Sequence, residues 1–141
     1  MPAKSLKVED HPNDDDLKFL EDNLIGFNLT KTGIFDGRSL AVFIRDENGR
    51  IIAGLSGWTW GGCLEVEYLW VREDHRKQGY GKQLLTAAEK EAVARQCFQS
   101  ILRTHSFQAP DFYQKLGYEI AGTIKDYPKG GYNYLLRKSL P

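Results

Sequence analysis

Apolar residues at Leu17, Leu20, Leu24 and Phe27 recur at spacings of three and four, with Phe19 and Ile25 widening the stripe. That one-sided period predicts a helix over residues 14–28. Asn13 supplies a side-chain cap ahead of Asp14, Asp15 and Asp16, and Asp16 suits an acidic variant of the capping box. Carboxylates in the first turn also match the positive end of the helix dipole. Before this helix, residues 6–9 predict a short first strand. After it the period changes to two. Residues 40–45 predict a strand, Asn48-Gly49 a hairpin turn, and residues 51–60 the returning strand. Gly61-Gly62 predicts a second turn, and residues 64–71 a third strand. Such short turns demand antiparallel neighbours.

A polar, glycine-bearing loop then leads into a helix over residues 80–95, with Leu84, Leu85, Ala88, Ala92 and Val93 on its buried side. Residues 98–104 predict a strand. Residues 107–116 predict a short helix, with Pro110 tolerable in its first turn and Gly117 ending it. Residues 118–124 and 132–137 predict two last strands, joined through Pro128, Lys129, Gly130 and Gly131. The order β-α-β-β-β-α-β-α-β-β is that of an α/β sheet with helices packed on it.

Composition narrows the function classes. With 141 residues the chain suits one domain. Nineteen basic residues balance nineteen acidic ones, so no basic excess points to nucleic acid. No apolar run reaches a membrane span, and the N-terminal residues lack the apolar core of a signal peptide, so the expected location is cytoplasmic. Cys63 and Cys97 are too few for a disulfide scaffold and are expected as buried thiols. With His11, His75 and His105 and neither HExxH nor CxxC, no metal site is expected.

The informative segment runs from Leu69 to Leu85, where a strand ends, a basic glycine loop follows and a helix begins. A helix start leaves backbone N–H groups unpaired and carries partial positive charge. Gly79 and Gly81 let backbone approach an anion, and Arg76, Lys77 and Lys82 add charge. This combination points to a phosphate or pyrophosphate cradle, against the plainer reading that the turn only starts a helix. It is neither GxxxxGK[ST] nor the three-glycine dinucleotide fingerprint.

The chain resembles the GCN5-related N-acetyltransferases. Their [Arg/Gln]-x-x-Gly-x-[Gly/Ala] signature is matched by Arg76-Lys77-Gln78-Gly79-Tyr80-Gly81. Their later Ala-x-x-x-Tyr-x-x-x-Gly-[Phe/Tyr] feature is matched at Ala109, Tyr113, Gly117 and Tyr118. One departure is Ser106, where members often carry Asn. The resemblance, which spans residues 6–140, implies a mixed, mainly antiparallel central sheet flanked by helices. It also implies a single N-acetyltransferase domain over residues 1–141, using acetyl-CoA. Backbone at Leu69, Trp70 and Val71 would hold the pantetheine arm. The N–H groups of Gln78, Gly79, Tyr80, Gly81 and Lys82 would hold the pyrophosphate, with Arg76 and Lys77 beside them and Ser106 making a shorter version of the asparagine's contact.

It further implies direct attack by a primary amine in a ternary complex, with Tyr113 protonating the leaving thiolate. An amine is mostly protonated at neutral pH, so a base must take its proton, directly or through water. Glu65 and Glu67 are the candidates. A period of two puts them on one face, where like charge would raise proton affinity. Glu65 stands fourteen residues before Gly79, the spacing of the glutamate base in histone-modifying members. A strand amide near Leu69 suits an oxyanion-type donor.

For the acceptor, a small-molecule or peptide amine, the readable features are few. Trp58 and Trp60 share a strand face; Trp70 has the opposite parity from Glu65 and Glu67. The loop from Tyr127 to Tyr132 suits a pocket wall, and His105 a proton relay. Dimerisation is common in the resembled family, though no sequence feature here sets a homodimer. The alternative function is a non-catalytic acyl-CoA-binding or protein-interaction module.

Overall fold

The computed structural model describes residues 4–141. The chain divides into two compact units, one ending at Phe35 and one spanning Asp36–Pro141. In the first, α1 (Asp14–Thr32) runs four residues past its predicted end. The Asn13 side chain accepts the Asp15 N–H at 2.7 Å. Gly33, left-handed at φ 69°, closes the helix by donating its N–H to Leu29 O. The strand expected over residues 6–9 is not formed. Leu6 and Val8 are exposed and the described sheet does not include them. Two apolar side chains among Lys4, Lys7, Glu9 and Asp10 bury too little surface to offset the entropy of ordering.

The second unit holds β1 (Arg38–Arg45), β2 (Ile51–Trp60), β3 (Cys63–Val71), a 3-10 turn (Glu73–His75), α2 (Tyr80–Ala94), β4 (Gln99–His105), α3 (Pro110–Lys115), β5 (Glu119–Lys125) and β6 (Tyr132–Ser139). One six-stranded sheet has the order β1-β2-β3-β4-β6-β5. All neighbours are antiparallel except β3 and β4, which α2 connects in the crossover that parallel strands require. Both predicted hairpin turns form. Asp46 Oδ1 accepts the Asn48 and Arg50 N–H groups around Gly49 at φ 80°, and Gly61 and Gly62 both have positive φ between Trp60 and Cys63. The predicted α3 is shorter than expected, because residues 106–108 form a turn instead.

The core lies between α2 and the sheet. Leu84, Leu85, Ala88 and Ala92 meet Leu55, Leu64, Val66, Leu102 and Leu136. A fully buried leucine contributes about 1.5–3 kcal/mol. Cys97 is buried, but Cys63 is only half-buried because it sits at the turn end of β3; both are free thiols. Burial pushes the Cys63 thiol up, with help from Glu65.

One polar group is set into this core. The Tyr118 hydroxyl lies 2.8 Å from Ser100 Oγ and 2.9 Å from Glu89 Oε2, and Lys138 Nζ pairs with Glu89 Oε1 at 2.7 Å. Tyr118→Phe leaves Ser100 and Glu89 short of a partner in a place water hardly reaches. It is expected to cost about 1–3 kcal/mol in chemical denaturation. An unchanged midpoint would show that the network adds nothing.

The β2–β3 ladder carries the feature that most affects the site. Gly57 faces Val66 and Ser56 faces Tyr68, so Glu67 is an extra residue, a β-bulge. Before it, Leu64 and Val66 join the core; after it, Leu69 and Val71 do. The strict alternation expected along β3 therefore breaks at Glu67. Trp70, expected on the side away from Glu65, shares the outer side with it and with Tyr68, and is half-exposed. The bulge likewise removes the basis for placing Glu65 and Glu67 on one face by parity.

Candidate active site

Parallel pairing of β3 with β4 runs from Cys63↔Gln99 to Val66↔Leu102 and stops, although β3 continues to Val71 and β4 to His105. The strands part there. The Arg72 N–H donates to Ile52 O on β2. By alternation Trp70 and Tyr68 direct their peptide groups to β2, and Leu69 and Val71 direct theirs to the parted edge. A strand edge without its neighbour is ready to take an extended chain. Arg76 Nε donates to Val71 O at 3.0 Å, which ends this edge and draws the guanidinium against the strand.

The loop beyond is braced by its own charges. Arg72 grips Asp74 with two bonds, of 2.7 and 3.1 Å, which lowers the Asp74 carboxyl below its ordinary range. Arg72 Nη2 also donates to His75 Nε2 at 2.9 Å, which places the ring proton on Nδ1. Lys77 has φ 63° and Gly79 φ 83°, so the chain turns sharply into α2. No side chain caps α2, and its first turn holds no acid. Its first N–H groups are left for an outside acceptor. Arg76, Lys77 and Lys82 are exposed around it.

Gly81 has a second reason to be glycine. A Cβ there would lie 3.1 Å from the tip of the Phe112 ring, so α3 packs directly on the start of α2. Gly81→Val must push Phe112 away and tilt the first turn. For the acetyl-CoA that the family resemblance implies, the expected result is binding weaker by about tenfold in calorimetry, on the scale of one or two lost charge-assisted hydrogen bonds. Unchanged affinity would remove the cradle from the account.

Tyr113 is buried on the core side, in the cluster that Leu69, Val71, Tyr80 and Phe112 pack against. Its ring meets Phe112 and Tyr118 edge-on, at 5.1 and 5.9 Å between centres. Burial pushes its phenol up to about 12. Of the two glutamates, Glu65 faces Trp58 across the ladder and is half-buried, while Glu67 is exposed in the bulge beside the point where the strands part. Ser106 Oγ accepts the Tyr132 N–H at 3.1 Å, which ties the loop before β6 to the end of β4. His105 Nδ1 lies 3.1 Å from Tyr127 O and 3.4 Å from Asn133 Nδ2.

The structure thus gathers Leu69, Trp70 and Val71 with residues 76–82 at one end of the sheet. It adds two residues that sequence reasoning passed over. Phe112 had no signal beyond its apolar character. Gly57 did have one, since a glycine inside a strand marks a bulge or a close backbone approach.

A family model described as the acetyltransferase (GNAT) family matches residues 5–118. A blasticidin-S acetyltransferase of Streptomyces morookaense is 40% identical over 121 residues, covering 79% of this chain and 85% of that protein. An acetyltransferase of Agrobacterium fabrum is 35% identical over 107 residues, covering 76% and 78%. Among solved structures, an acetyltransferase from Bacillus cereus superposes with a TM-score of 0.80 at 30% identity, covering 95% of this chain and 98% of that one. No helix among the described residues is long and apolar enough to cross a membrane.

Proposed function

We propose, from the fact that the chain belongs to the acetyltransferase (GNAT) family, that it transfers the acetyl group of acetyl-CoA to a primary amine. The observation that carries this is the parting of β3 from β4 after Val66↔Leu102, with the uncapped start of α2 at its far end. The residues fit the cofactor. The edge of Leu69 and Val71 offers peptide groups to an extended amide-bearing arm. The N–H groups of Gln78, Gly79, Tyr80, Gly81 and Lys82 offer a positive cradle to a pyrophosphate, with Arg76 and Lys77 alongside. When bound, acetyl-CoA supplies an acetyl group already activated as a thioester.

The chain's own residues do the rest. Glu67, at the mouth of the parted strands, accepts the amine's proton directly or through a water; Glu65 stands two residues away as the alternative. Tyr113 keeps its proton at Oη across the neutral range and donates it to the departing sulfur. The Leu69 N–H polarises the carbonyl under attack. Both substrates are held together, and no covalent enzyme intermediate is needed.

The relative from Streptomyces morookaense makes blasticidin S the first acceptor to try. A thiol-release assay with acetyl-CoA across blasticidin S, aminoglycosides, polyamines, amino acids and short peptides tests the reading. Saturable release with one class is the expected result. Acetyl-CoA binding without release for any amine would instead support a non-catalytic acyl-CoA-binding module.

A further inference from the structure

We propose that Gly57 on β2 is a positioning residue of the active site, because its bare Cα admits the β3 backbone and so makes the Glu67 bulge. The proposal rests on the acetyltransferase reading and adds a residue outside the cradle and the proton-transfer groups. A Cβ at Gly57 would overlap the carbonyl oxygen of Glu65 and lie 3.0 Å from its carbonyl carbon and 3.1 Å from Val66 Cα. These are backbone atoms of the facing strand, which cannot step aside as a side chain does. The register changes at this place, between Gly57↔Val66 and Ser56↔Tyr68. Pairing of β3 with β4 ends at the same residue, Val66.

The bulge has a consequence at the parted edge. A single extra residue reverses which peptide groups face β2 and which face away. With it, Leu69 and Val71 turn their N–H and C=O groups toward the gap while their side chains stay in the core. Without it, Tyr68 and Trp70 would take those positions, and two half-exposed or exposed aromatics would be driven at the core. Gly57 thus sets both the peptide group that meets the acetyl carbonyl and the place of the Glu67 carboxylate. It touches neither substrate.

Gly54, three residues earlier on the same strand, is the matched control. A Cβ there meets the ring of Phe43 at 2.9 and 3.1 Å, which lies on an open face where it can swing, and reaches the Val42 carbonyl oxygen only at an ordinary 3.6 Å. The two glycines share a strand and differ in what stands against them.

The test is steady-state kinetics of Gly57→Ala and Gly54→Ala beside the parent, with acetyl-CoA and the best amine found. Gly57→Ala is expected to lower kcat about 30-fold and to raise KM for acetyl-CoA by less, about three- to tenfold, since the arm's contacts at Leu69 and Val71 are disturbed while residues 76–82 are untouched. Gly54→Ala is expected to keep kcat within about twofold. Three results would overturn the proposal: Gly57→Ala turning over as the parent does, failing to fold, or losing kcat only in step with acetyl-CoA binding. Cross-strand NMR contacts in the parent provide a second test. The bulge predicts Gly57 paired with Val66 and Ser56 with Tyr68, and a ladder that pairs Glu67 directly with β2 would overturn the proposal whatever the kinetics. A parent inactive with every amine would sink the acetyltransferase reading instead, and the NMR contacts would still decide the bulge.

Discussion

Tyr113→Phe is expected to lower kcat about 300-fold while acetyl-CoA affinity stays within about threefold, within the range of a lost general acid. The substitution removes one oxygen and keeps the ring, so the edge-on contacts with Phe112 and Tyr118 survive. A thiolate leaves poorly if nothing protonates it near neutral pH, where a free thiol sits on the protonated side of its pKa. Tyr113 carries a proton to supply, and burial, which pushes its phenol up to about 12, keeps it protonated while making it a weaker acid than an exposed tyrosine. The same shift affects stability. The folded pKa lies above the ordinary value near 10, so the fold favours the protonated form. That contribution is complete below about pH 10 and is lost as the pH rises toward about 12. Thermal unfolding of the parent should therefore fall more steeply across this window than that of Tyr113→Phe. Parallel curves together with an unchanged kcat would return Tyr113 to a packing role.

Glu67→Gln is expected to lower kcat by a similar factor, about 300-fold, and to flatten the acid side of the pH–rate profile. Glutamine keeps the shape and the hydrogen-bonding reach of the side chain but cannot take a proton. If the ionised carboxylate receives the amine's proton, the parent loses rate as acid protonates it, and the variant has no such loss left to show. Glu65→Gln separates the two candidates. Glu65 is half-buried opposite Trp58, two residues before the bulged Glu67, and its amide should leave kcat within about threefold. A flattened profile in Glu65→Gln and a normal one in Glu67→Gln would exchange their roles. Normal profiles in both would remove the carboxylates from the chemistry.

Most of the sheet was legible in the sequence because its turns are local. Gly49, with the Asp46 side chain bonding the turn around it, and Gly61-Gly62 each set a hairpin through positive φ, and the strands on either side pair antiparallel. α2 was legible for a similar reason, since Leu84, Leu85, Ala88 and Ala92 repeat on the helical period and are the residues buried. The segment over residues 6–9 has the alternation of a strand but no partner to pair with, and alternation cannot supply one. The bulge was hidden by composition. Leu64, Val66, Tyr68 and Trp70 are all apolar or aromatic, and so are Leu69 and Val71, so the run fits either phase of a two-residue period. Only the contact between Gly57 and the facing backbone decides between them.

The cradle was legible for the opposite reason. Arg76, Gly79 and Gly81 act through neighbouring backbone, so their spacing in sequence is close to their spacing in space. Glu67 and Tyr113 sit on elements far apart in the chain, and the place of Glu67 rests on the register of β3 with β2 and β4. Ser106 is the one departure from the family pattern, and its Oγ accepts the Tyr132 N–H while its own O–H remains a donor.

The most direct test of the central claim is a titration of the intact protein with acetyl-CoA, followed through its backbone amide NMR signals. Saturable shifts are expected, concentrated at Leu69, Trp70 and Val71 and at Gln78 through Lys82, the two segments that bound the parted strands. Shifts confined to other parts of the sheet, or none at saturating acetyl-CoA, would contradict it.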